Sequence, residues 1–152
     1  MIEFLALTND VLQAIIVIFG SAVVLYNLGR SLRIRVMKAF CALVTFVVIV
    51  YLSELLVSRI IRNDFAINWL QVGWIGIALV PAAQYHLADT LLEITGAPSR
   101  KYRVLLGYLS SLFFLGLVFW TDLIVGKPVF IPHAPHLQAG PLFFLFALHF
   151  WL

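Results

Sequence analysis

The sequence predicts an all-α fold: a polytopic transmembrane helix bundle with four full spans, a truncated fifth and the N-terminus outside. Three observations lead there. Long apolar stretches fill roughly Val11–Leu28, Ala39–Val57, Ala66–Thr95 and Val104–Trp120, and another opens at Pro141 and runs to Leu152. Hydrophobic residues make up 63% of the 152 and charged ones only 11%, with a mean hydropathy of +1.05, far from the balance of a water-soluble domain. Lysine and arginine gather between the apolar stretches. A bilayer core about 30 Å thick takes about 20 apolar residues of helix to cross, because lipid offers no partner to an open backbone amide or carbonyl.

Taken in order, the first stretch follows Glu3 and Asp10 and has no basic region before it. It is expected to be a retained helix, not a cleaved leader. Arg30, Arg33, Arg35 and Lys38 precede the second stretch, and Arg100, Lys101 and Arg103 precede the fourth. The other loops carry Arg59 and Arg62 beside Asp64, and Lys127 alone. By the bias of basic residues to the cytoplasmic side, both richer loops face inward. Trp69, Trp74 and Trp120 then share the outer interface, and Tyr26 and Tyr102 mark the inner one.

The third stretch, about 45 Å long as one continuous helix, has to tilt, kink at Pro81 or project into the cytoplasm. Asn27-Leu28-Gly29 and Thr95-Gly96-Ala97-Pro98 read as helix stops. The fifth stretch, from Pro141, is too short to cross alone and reads as truncated at Leu152. The whole chain, 1–152, is read as one transmembrane domain. A net charge of +3 calls for no nucleic-acid partner. Cys41, the single cysteine, permits no intrachain disulfide and reads as a packing residue inside the second helix.

The third stretch carries most of the chemistry. It opens as Trp69-Leu70-Gln71-Val72-Gly73-Trp74, runs through small residues to Pro81, and leaves through Gln84-Tyr85-His86-Leu87-Ala88-Asp89 and Glu93-Ile94-Thr95-Gly96. In that order of features it resembles the third helix of the N-terminal seven-helix sensor region of bacterial histidine kinases and diguanylate cyclases. Gly140-Pro141-Leu142-Phe143-Phe144, opening a helix after a histidine-containing loop, resembles the fifth helix of the same region. The resemblance implies a membrane-embedded input module that passes an external or intramembrane cue to a cytoplasmic signalling output domain, in the bacterial inner membrane. That output domain and the last two helices of the family are outside this sequence.

From the residues alone, Gly73, Gly76 and Pro81 are candidates for close helix packing, with a ligand pocket from Gly73 to Pro81 as the other reading. His86, Asp89 and Glu93 recur at helical spacing and share one face, with Gln84 and Tyr85 nearby. They suit an interfacial polar network with Arg100 and Arg103, a signal relay, or part of a ligand site. Glu54, near the outer end of the second helix, is expected to pair with Arg59 or Arg62 or to face a ligand cavity.

The loop Lys127-Pro128-Val129-Phe130-Ile131-Pro132-His133-Ala134-Pro135-His136 is too rich in proline for a helix. It reads as an external lid whose His133 and His136 are candidate ligand or pH-sensing groups, two imidazoles being half a metal site. His86 and His149 leave a haem reading open. No phosphate loop, His-Glu-x-x-His or nucleophile elbow occurs, so no catalysis and no metal centre is expected. The cofactor stays unassigned: lipid, quinone, haem or pigment. The expected partners are the lipid bilayer, other membrane helices and a cytoplasmic output, with a homodimer or larger complex open. The competing reading is a small non-catalytic accessory subunit of a larger membrane complex.

Overall fold

The computed structural model describes residues 2–30, 33–59, 64–129 and 136–150. It is mostly helical. In chain order the elements are α1 (Ile2–Arg30), α2 (Arg35–Arg59), α3 (Asp64–Ile94), α4 (Lys101–Trp120), strands β1 (Val125–Val129) and β2 (His136–Ala139), and α5 (Phe143–His149). Among the described residues three helices are long and apolar enough to cross a membrane: Phe4–Gly29 of α1, Arg35–Ser58 of α2 and all of α4, with mean hydropathies of 2.1, 2.5 and 1.7. These spans point to a multi-pass membrane protein. α3 is longer, 31 residues, but dilutes its apolar run with Gln71, Gln84, His86, Asp89 and Glu93.

Several helix ends lie beyond their expected limits. α1 starts at Ile2 and continues through Asn27-Leu28-Gly29 to Arg30; α2 starts at Arg35, so Arg35 and Lys38 belong to a helix and not to a basic loop. Apolar content marks the part of a helix that lipid covers, whereas backbone hydrogen bonding carries the helix on into polar sequence. α3 passes Pro81 without interruption. It ends at Ile94, and in the turn that follows Gly96 takes φ +89°, its N–H donating to the Glu93 carbonyl at 3.1 Å and the Ala97 N–H to the Leu92 carbonyl at 3.1 Å. That pair of bonds closes the last turn.

The helices pack in series, and α2 against α3 is the most extensive contact, followed by α1 on α2 and α3 on α4. Small residues bring the backbones together. A Cβ on Gly73 would meet the Ser53 hydroxyl, and one on Gly76 would run into the Phe46 carbonyl and the Val50 side chain. Between lipid-covered helices, where apolar burial gives no net drive, such close approach is what supplies attraction. On the other flank of α3, Ala82 faces Gly107 of α4.

The Pro-rich loop is not all irregular. β1 and β2 pair antiparallel, Val125 with Ala139, Pro128 with Leu137 and Val129 with His136, with a bulge between Val125 and Pro128. In a two-stranded ribbon each strand has a free edge, so the N–H that Pro128 lacks need not be missed. The ribbon is tied to α5 by Gly140 N–H to the Ile124 carbonyl and Leu142 N–H to the Leu123 carbonyl, both 2.8 Å. Gly140 allows no Cβ, because the Leu123 and Asp122 carbonyls occupy that space. Ile124, Val125, Ala78, Val118 and Phe146 form the buried core beneath, so the ribbon, α3, α4 and α5 share one cluster.

Candidate functional site

Toward the C-terminal end of α3, beyond that core, α2, α3 and α4 converge on a partly open polar cleft of about 240 Å³. It is lined by Arg35, His86, Asp89, Thr90, Glu93, Ser99, Lys101 and Val104. Helical spacing puts His86, Asp89, Thr90 and Glu93 along one side of α3, and the turn after Gly96 brings Ser99 and the start of α4 back beside them.

Each α3 group has a defined partner. Asp89, only 6% exposed, accepts the Arg100 N–H at 3.0 Å on one oxygen, and its other oxygen accepts from the Ser99 hydroxyl at 3.4 Å. Arg100 is the N-cap of α4 and its own side chain makes no capping bond. A carboxylate from the neighbouring helix therefore serves the first turn of α4, whose exposed N–H groups favour negative charge. Glu93 receives the Arg35 guanidinium at 3.0 Å, an ion pair joining the end of α3 to the start of α2. Both side chains are well exposed, so in water the pair contributes under about 1 kcal/mol.

Deeper in, His86 Nδ1 is hydrogen-bonded to the Tyr108 hydroxyl at 3.2 Å, with the rings edge to face at 5.8 Å. The Thr90 hydroxyl donates back to the carbonyls of His86 and Leu87 on its own helix. One helix is thus bonded to both neighbours: Glu93 to α2, Asp89 to the start of α4 and His86 to Tyr108 about two turns into it.

The partners within this network differ in part from the expected Arg100 and Arg103. Glu93 bonds Arg35 of α2 and not the Arg100–Arg103 group, and Asp89 bonds the Arg100 backbone and not its guanidinium. The reason is geometric: an adjacent helix start presents its amide directly, whereas a guanidinium would have to fold back over it. Gln84 is exposed and Tyr85 half-buried, and neither lines the cleft. Gly73, Gly76 and Pro81 lie elsewhere on α3, the two glycines against α2.

Glu54 accepts a hydrogen bond from the Gln13 amide of α1 at 3.0 Å. Arg62 lies outside the described residues, as does the Arg59 side chain. His136 sits exposed on β2, and His133 is outside the described residues. Among the described residues no group of three or more His, Cys, Asp or Glu is placed to hold a metal ion. His149 is hydrogen-bonded to Ser111 at 3.2 Å and lies 5.1 Å from the Phe114 ring. His86 and His149 thus both engage α4, through hydroxyls one turn apart.

Sequence reasoning missed Arg35, Thr90, Ser99, Lys101, Tyr108 and Gln13 as members of these sites. Gln13 had a visible signal, a lone amide within an apolar run. Tyr108 and Arg35 had none, since only the packing of α2 and α4 on α3 selects them. No family model matches this chain, and no curated protein or solved structure does either.

Proposed function

We propose that this chain is the membrane-embedded sensory and relay region of a signalling protein of the bacterial inner membrane. α1 to α4 cross the bilayer, and the N-terminus and the β-ribbon lie outside. A cue at the ribbon or within the bundle shifts α3, and the cytoplasmic ends of α2 and α4 report the shift to an output domain or partner. The observation that carries this reading is the cleft: Asp89 and Glu93 tie one helix to both neighbours at the end rich in basic residues. A polar junction of that kind has discrete made and broken states, as a two-state relay element requires.

Orientation is tested by accessibility. With Cys41 replaced, cysteine at exposed Lys127 should react with a membrane-impermeant reagent in intact cells, and cysteine at exposed Tyr102 only after lysis. The opposite pattern would invert the assignment. Relay is tested by spin labels at Ile94 and Tyr102, both strongly exposed at the ends of α3 and α4. Two separations are expected in lipid nanodiscs, with Asp89→Asn enlarging the wider population. One narrow distribution, indifferent to Asp89→Asn, would remove the relay.

The second reading, an accessory subunit of a larger membrane complex, is favoured by α1. It packs chiefly on α2 and only 6% of its apolar window is buried, leaving broad sides for lipid or another subunit. Stoichiometric partners or a bound chromophore on extraction in mild detergent would select it.

A further inference from the structure

Outside the cleft, the pairing of α1 with α2 holds a carboxyl group against an amide whose oxygen has no hydrogen-bond partner. Gln13 is 8% exposed; its Nε2 donates to Glu54 Oε2 at 3.0 Å, while its Oε1 is fully buried with no hydrogen-bond partner. An unpaired acceptor at such a position is costly. Rotating the amide does not help, since it sets Oε1 against a carboxylate oxygen and leaves Nε2 unpaired instead. A proton on Glu54 removes that clash, since its O–H then donates to Oε1 across the 3.0 Å contact and gives the amide oxygen the donor it lacks.

The setting favours the neutral acid as well. Glu54 lies within the candidate span Arg35–Ser58 of α2 and is exposed at the bundle surface, a position at which a bilayer makes an ionised carboxylate expensive. Its bonded partner is neutral. Near it along the two helices stand Asp10, one turn before Gln13 on α1 and itself an acid, and Tyr51, one turn before Glu54 on α2; Arg59 lies five positions on, its side chain outside the described residues. From the other side α3 brings Gly73 against the adjacent Ser53.

We infer that Gln13 and Glu54 form a proton-binding site within the membrane, in which Glu54 holds a proton from bulk water and donates it as an O–H bond to Gln13. The chemistry is addition of one proton to one carboxylate, with no other bond made or broken. This site stands apart from the cleft and does not depend on the relay.

The test is infrared difference spectroscopy of the full chain in lipid nanodiscs at neutral pH, wild type against Glu54→Gln. The expected result is loss of one protonated-carboxyl carbonyl band. Because glutamine reproduces both donor and acceptor of the neutral acid, Glu54→Gln should also keep the wild-type thermal midpoint, while Glu54→Ala lowers it. A spectrum with no such band lost would overturn the site. So would a Glu54→Gln protein that fails to fold or melts early together with Arg59→Gln, the signature of an ionised Glu54–Arg59 pair.

Discussion

Phe146→Ala is expected to destabilise the fold by about 3 kcal/mol, the low end of the range for truncating a buried aromatic, because lipid tails replace part of the lost apolar environment. The ring is 4% exposed and sits among Trp74 at 5.3 Å, Phe114 at 5.7 Å and Phe143 at 6.3 Å. It belongs to the core that Ala78 of α3, Val118 of α4 and Ile124 and Val125 of the ribbon complete. α5 has only seven residues here, too few to hold a helix by propensity, so its position depends on this contact. Unfolding from mixed micelles, followed by tryptophan fluorescence, measures the loss. Phe144→Ala, next but one along the same helix and 57% exposed, is the control and should change stability by less than about 0.5 kcal/mol. Equal effects at the two positions would mean that α5 is not anchored through Phe146.

Asp89→Ala should cost about 2 kcal/mol by the same measurement, the usual contribution of hydrogen bonds made by a charged group. Alanine removes the acceptor for both the Arg100 N–H and the Ser99 hydroxyl at a position almost closed to water, and it takes a negative charge from the start of α4. Asp89→Asn keeps one acceptor oxygen and should recover roughly half of the loss. Glu93→Gln, at an exposed ion pair, should move stability by under about 1 kcal/mol. If Asp89→Ala were no worse than Glu93→Gln, the carboxylate would not be capping α4. The contrast also separates the two functional parts of the cleft, a buried cap that sets the α3–α4 junction and an outer ion pair that is easily made and broken.

The two sites were legible to different degrees. His86, Asp89 and Glu93 stood out because helical spacing alone places them on one face, and ionisable residues beside an apolar run are conspicuous. Their partners were not legible. Arg35 is 58 positions from Glu93 and Tyr108 is 22 from His86, and nothing local couples such pairs. Glu54 was conspicuous for the same reason as Asp89, but its expected arginine partner lay nearby in the chain, whereas the observed amide comes from α1, 41 positions away. The ribbon escaped notice because prolines hide a strand: Pro128 cannot donate, and the pairing that accommodates it depends on where β2 falls.

The sequence by itself determined that the chain is mostly helical, with helices long and apolar enough for a bilayer. That property is additive along the chain, since hydropathy and backbone self-satisfaction are both local. Only the tertiary structure decided that α3 is the shared neighbour of α2 and α4, that Gly76 lies on the Phe46 carbonyl, and that Asp89 serves another helix's first turn. Between apolar helices every face looks alike to hydrophobicity. The choice of partner rests on a few small residues and polar bonds that acquire meaning only when two backbones come within contact distance.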